Sequence, residues 1–208
     1  MVDAKKKIAF QKTLKIQPHV RRNEILKIAA EVLAEKGCAS ATVRDIAKAS
    51  GILSGSLYHH FKSKDEIIFI ILSEVFQEFK SGYENIQNES QDPVQVLQNL
   101  VIFGFTALDR WSSELQILQN DFGFLSRLPE FRFLVAGSDE IEATWIRSIS
   151  VGIEKGVFRG DLDARFAYQM MIGSIVSASR WYRSGGKLSA IEVGKHHADF
   201  FLNGLLKS

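Results

Sequence analysis

Cysteine is almost missing from these 208 residues, with Cys38 the single example. An internal disulfide framework is therefore excluded, as is a zinc site built from several thiolates. Cys38 follows Gly37 beside an apolar helical pattern, the setting of a half-buried thiol that only packs; a redox sensor is the other reading. Long apolar runs are also missing. The longest uncharged stretches, 93–108 and 166–179, contain Gln or Asn and fall short of the roughly 20 apolar residues that cross a bilayer. Residues 1–18 are basic and mixed, without the apolar centre of a secretory signal, so a soluble, cytoplasmic protein with no membrane partner is expected. Strand-like alternation is not seen, and neither are internal repeats or low-complexity blocks. Apolar residues recur at helical spacing instead. There is no GxSxG, HExxH, P-loop or GxGxxG, and in Gly51-Ile-Leu-Ser-Gly55 the serine stands one position off a nucleophile elbow. The His59-His60 and His196-His197 pairs are neighbours, and adjacent helical residues point about 100° apart, which does not suit one metal ion. No catalytic residue, metal ligand or cofactor is expected, and so no enzyme.

What is present begins with charge. Residues 1–65 hold 13 Lys and Arg against six Asp and Glu, and the rest holds 13 against 18, so +7 and −5 leave the net +2. A basic first third on an acidic remainder fits a DNA-reading head on a body with another task. Lys5, Lys6, Lys7, Lys12 and Lys15 mark residues 1–17 as a basic flexible arm, either merely solvated or adding phosphate contacts. Only three prolines occur, and each stands where a helix can begin: Pro18, Pro93 after Asp92, and Pro129.

Residues 42–66, TVRDIAKASGILSGSLYHHFKSKDE, carry the most information. Thr42 with Asp45 forms a capping-box pair, and Val43, Ile46 and Ala47 make one apolar stripe. Gly51 supplies the sharp turn. A short second helix, about 54–61, turns Leu57 and Phe61 inward and leaves Ser54, Gly55, Ser56, Tyr58, His59 and His60 available. Ser63 and Glu66 cap the next helix. Two helices joined by a tight glycine turn place the second in the DNA major groove. Tyr58 can donate to a phosphate, and Lys62 and Lys64 bracket a helix N-terminus where one phosphate can sit, as Thr42 and Arg44 do at the first helix. Base reading falls to small residues, through Ser hydroxyls, backbone approach and DNA shape.

This segment resembles the DNA-binding domain of the TetR family of repressors. The residues that carry the likeness are Thr42, Val43, Arg44, Ile46, Ala47, Gly51, Leu57, Tyr58, Phe61, Lys62 and Lys64. The resemblance implies an all-α protein of about nine helices. A three-helix helix-turn-helix domain at 18–65 would precede a ligand-binding and dimerisation domain at 66–208. The implied protein binds palindromic double-stranded operator DNA as a homodimer and is released by a lipophilic small molecule.

The body is rich in rings. Phe103, Trp111, Phe122 and Trp145, with the flexible Met170, suggest a pocket for a large apolar molecule. Helices are expected at about 163–183 and 188–206, and a possible break at Gly137-Ser138 within 129–156. Arg180, Trp181, Tyr182 and Arg183 then close a long helix, either complementing its negative end or binding ligand phosphates beside a stacking ring. The run 179–189, with 156–163 before it, looks like the C-terminal half of TetR-type sensors of CoA thioesters in fatty-acid or steroid degradation. A long-chain acyl-CoA is thus the expected effector. The alternatives are a drug-responsive efflux repressor and, outside that class, an all-α enzyme acting on acyl-CoA or lipid.

Overall fold

The computed structural model describes residues 18–206, with side chains from Arg21 onward; the basic arm lies outside the described residues. Nine α-helices and one 3-10 turn are found among them, with no strand beyond an isolated antiparallel bridge between Phe158 and Leu206. The chain divides into two units, one through Ile68 and one from Phe69.

In the first unit, α1 (Pro18–Lys36) opens on its proline and buries Ile25, Ala29 and Leu33. It is followed by α2 (Val43–Ala49) and α3 (Ser54–Leu57). The start of α4 (Lys64–Glu89) belongs to this unit, where Ile67 and Ile68 are buried, while the rest of that 26-residue helix lies in the second. No helix among the described residues is long and apolar enough to cross a membrane.

The second unit continues with α5 (Pro93–Arg110), α6 (Ser112–Leu125), the Pro129–Phe131 turn, α7 (Phe133–Glu154), α8 (Ala164–Ala178) and α9 (Ala190–Leu205). Asp92 caps α5 through its side chain, with Pro93 in the first turn. Apolar residues cover most of this helix's circumference: Val96, Leu97, Leu100, Val101, Phe105 and Leu108 are all buried. It is the central helix of the unit, with α9 as its chief partner and α7 next. Trp145, Ile149, Met171, Ile175, Ala198 and Leu202 complete the core around it.

Three sequence expectations change. Helix α3 ends at Leu57 instead of near 61, because His59 and His60 donate to carbonyls three residues back, Ser56 at 3.2 Å and Leu57 at 2.9 Å. Helix α8 stops at Ala178 instead of near 183, because Arg180 and Trp181 donate to carbonyls three residues back and tighten the last turn. Gly137-Ser138 lies unbroken inside α7.

Candidate nucleic-acid interface and ligand cleft

Thr42 and Asp45 make a reciprocal capping box at α2. The Asp45 Oδ2 accepts from Thr42 N–H at 2.9 Å and Thr42 Oγ1 at 2.6 Å, while Oδ1 accepts from Lys36 Nζ at 2.6 Å. Lys36 first, and then Thr42, hold the Asp45 carboxyl well below the usual carboxylate range. Gly51, with φ +65°, ends the helix in a Schellman turn: Ile52 N–H reaches Ala47 C=O at 3.0 Å and Gly51 N–H reaches Lys48 C=O at 3.1 Å.

The short helix beyond that turn is anchored from below. Leu57 and Phe61 are buried, and the Arg22 guanidinium lies 4.8 Å from the Phe61 ring centroid. The opposite side is open. Tyr58 is 57% exposed, His59 and Gly55 are exposed, Ser54 and Ser56 are partly so, and a Cβ at Gly55 would meet nothing within 4 Å. Arg44 and Lys62 are exposed as well.

Lys64 is a correction. Its sequence role was a phosphate contact, but its ammonium donates to the carbonyls of Cys38 at 2.6 Å and Ala41 at 2.7 Å. It ties the start of α4 to the link between α1 and α2. The cap beside it is also rearranged: Ser63 Oγ accepts from Glu66 N–H at 3.0 Å, but the Glu66 carboxylate reaches the Lys62 N–H.

In the second unit, a cleft of about 530 Å³ opens between the end of α5, α6 and the turn after α8. Arg180, Tyr182 and Arg183 stand on one wall, Gln116, Gln119 and Asn120 on another, with Leu108 and Leu115 between. Tyr182 Oη donates to Asp109 Oδ1 at 2.8 Å, and Arg183 Nη1 donates to Tyr182 C=O at 2.9 Å. Partial desolvation, followed by the Asp109 carboxylate, raises the Tyr182 hydroxyl above its ordinary value. Trp181 is exposed and Phe122 partly buried on α6.

Phe103 and Trp111 come together in a ring cluster with Phe79 and Tyr83 of α4, with centroids 5.3–6.4 Å apart. Trp145 and Met170 depart from their expected place. Trp145 is fully buried and its indole donates to Tyr83 Oη at 3.1 Å, so it is a core anchor. Burial drives the Tyr83 hydroxyl strongly upward. Met170 faces outward on α8, beside the exposed Phe166 one turn earlier.

The model of bacterial regulatory proteins of the tetR family matches residues 25–69, and the tetracyclin repressor-like C-terminal domain matches residues 90–205. The HTH-type transcriptional repressor KstR2 of Mycolicibacterium smegmatis is 36% identical over 192 residues, covering 92% of this chain and 94% of the relative. This chain belongs to the TetR family. It is a DNA-binding transcription regulator, not an enzyme. The structure of the ketosteroid transcriptional regulator KstR2 of Mycobacterium tuberculosis is 36% identical, with a TM-score of 0.87, over 90% of this chain and 96% of that one. AibR, solved with isovaleryl coenzyme A and operator DNA, shares the fold at a TM-score of 0.74 and 21% identity, over 89% of this chain and 98% of that one.

On this TetR-family scaffold the sequence reading missed a second cleft. About 580 Å³ lies between α4 and α7, walled by Phe69, Phe76, Tyr83, Phe133 and Ile141, with the Lys80–Glu140 pair at 3.6 Å among its polar groups. A signal was present in Phe69 and Phe76, seven residues apart and thus on one helix face. Among the described residues no group of three or more His, Cys, Asp or Glu could hold a metal ion.

Proposed function

We propose that this regulator is a repressor that binds a palindromic operator as a homodimer and is released by a CoA thioester with a large acyl group. The cleft holding Arg180 and Arg183 carries this reading. Two guanidinium groups with amide and hydroxyl side chains around them suit phosphates and the amides of a pantetheine arm. The rings of Phe103 and Trp111, on the same helix and its C-cap as the cleft residues Leu108 and Asp109, offer the apolar surface that an acyl chain needs. Phe79 and Tyr83 of that cluster lie on α4, the helix whose first residue, Lys64, is bonded to the head. A chain that parts the rings would shift α4 and change the separation of two recognition helices, which must lie about 34–36 Å apart to enter successive major grooves. Effector and DNA then oppose each other by linkage.

The test is release of the protein from operator DNA by acetyl-CoA, lauroyl-CoA and laurate. Each buried methylene contributes about 0.8 kcal/mol, so lauroyl-CoA should exceed acetyl-CoA by several kcal/mol even after ordering costs. Laurate should be far weaker than lauroyl-CoA, and Arg180→Ala should narrow that gap. Equal potency of laurate and lauroyl-CoA would remove the role given to the arginines, and no release by any of the three would refute the effector class.

A further inference from the structure

Leu53 is the most exposed large hydrophobic residue among those described, at 80%. It occupies the N-cap of α3, with φ −72° and ψ 145°, and forms no side-chain cap. Serine, threonine, aspartate or asparagine there would satisfy a free N–H, whereas leucine cannot. Neither burial nor capping explains the residue. Its neighbours Ser54, Gly55 and Ser56 are small, so Leu53 projects furthest from this end of the helix. The other exposed side chains of the helix-turn-helix include the cations Arg44, Lys48 and Lys62, which fits a nucleic acid better than an apolar protein partner.

N-terminal residues of a recognition helix are the ones that meet base edges. On those edges the apolar feature is the C5-methyl group of thymine. We propose that Leu53 packs on a thymine methyl in each operator half-site and is the main base-discriminating side chain of this protein. The inference rests on the DNA-binding reading of the head and adds to it a source of sequence preference.

The experiment uses the full chain. Its operator is first selected from random duplexes, and each thymine of a half-site is then replaced singly by deoxyuridine, which removes only the methyl. At one position the replacement should weaken wild-type binding about fourfold, the effect of one lost methyl contact. Leu53→Ala should bind the thymine and deoxyuridine duplexes alike. Leu53→Ser should lose the same discrimination and yet melt at a higher temperature than wild type, because serine restores the cap. If no single thymine methyl affects wild type, or if Leu53→Ala discriminates as wild type does, the contact does not exist. An unchanged or lower melting midpoint for Leu53→Ser would overturn the argument that leucine is kept against the helix's interest. Failure to select any duplex would overturn the DNA-binding reading itself, and this inference with it.

Discussion

Lys62 and Lys64 are two residues apart and stand in different surroundings. Lys62 is exposed, whereas Lys64 is partly buried with its ammonium on two backbone carbonyls. Lys64→Ala should therefore destabilise the head by about 1–3 kcal/mol, the range for hydrogen bonds to a charged donor and for carbonyls left without one. Lys62→Ala should leave the melting curve unchanged and lower the log–log salt slope of DNA binding by about 0.9 per half-site, the loss of one phosphate contact. Thermal melts and salt titrations of both variants decide the matter. Equal melting midpoints, with both variants weakened only on DNA, would return Lys64 to the phosphate. Sequence could not reveal this division. Both lysines match the TetR pattern, and what separates them is the placement of carbonyls more than twenty residues earlier in the chain.

At the scale of the element, α8 and α9 meet through a histidine. The His197 ring lies 4.9 Å from Phe105 and 5.1 Å from Phe201, and Nε2 is 2.7 Å from Ser174 Oγ. Ser174 Oγ is also 2.6 Å from Met171 C=O, and when its one hydroxyl hydrogen goes to that carbonyl the imidazole donates from Nε2 to Ser174. Burial lowers the His197 pKa below its ordinary 6.5. The unfolded chain consequently takes up a proton before the folded one does. The stability this group supplies is full above about pH 6.5 and declines as pH falls through and below that value. Melting midpoints measured from pH 7.5 to 5 should decrease accordingly, and the decrease should be smaller in His197→Gln. Identical slopes would assign the effect to other groups. The helices themselves were largely legible, because Asp92-Pro93, the apolar periodicity of α1 and the Gly51 turn are local signals. Three features were not, the end of α3 at Leu57 among them. Gly137 looked like a break, but it is where the Phe76 ring seats against α7, since a Cβ there would lie 2.4 Å from that ring. The early end of α8 comes from three-residue hydrogen bonds that no composition cue announces. Of the residues expected to meet a ligand, the two arginines and Tyr182 share one cleft, whereas Trp145 is sealed in the core. A buried indole and a pocket-lining indole read the same in one dimension.

For the molecule as a whole, the outward residues of the last two helices matter most. Phe166 and Met170 on α8 and Phe200 on α9 are each at least half exposed, the last at 76%. We assign them to the partner-facing side of the proposed homodimer, on which the pairing of two heads with two half-sites would depend. Met170→Glu with Phe200→Glu should therefore yield a folded monomer, seen by sedimentation, with operator affinity reduced to that of a single head. A variant that remains dimeric would place the interface elsewhere. The three tryptophans add one further consequence. Trp145 is sealed in the core with a hydroxyl on its indole nitrogen, Trp111 is half-covered in the ring cluster, and Trp181 lies in the solvent beside Tyr182. Their light emission thus comes from a dry, an intermediate and a wet environment. A soluble quencher should therefore dim the wet one first, Trp111 next and the sealed core indole last, so the order of quenching reads out how tightly each part of the body is closed.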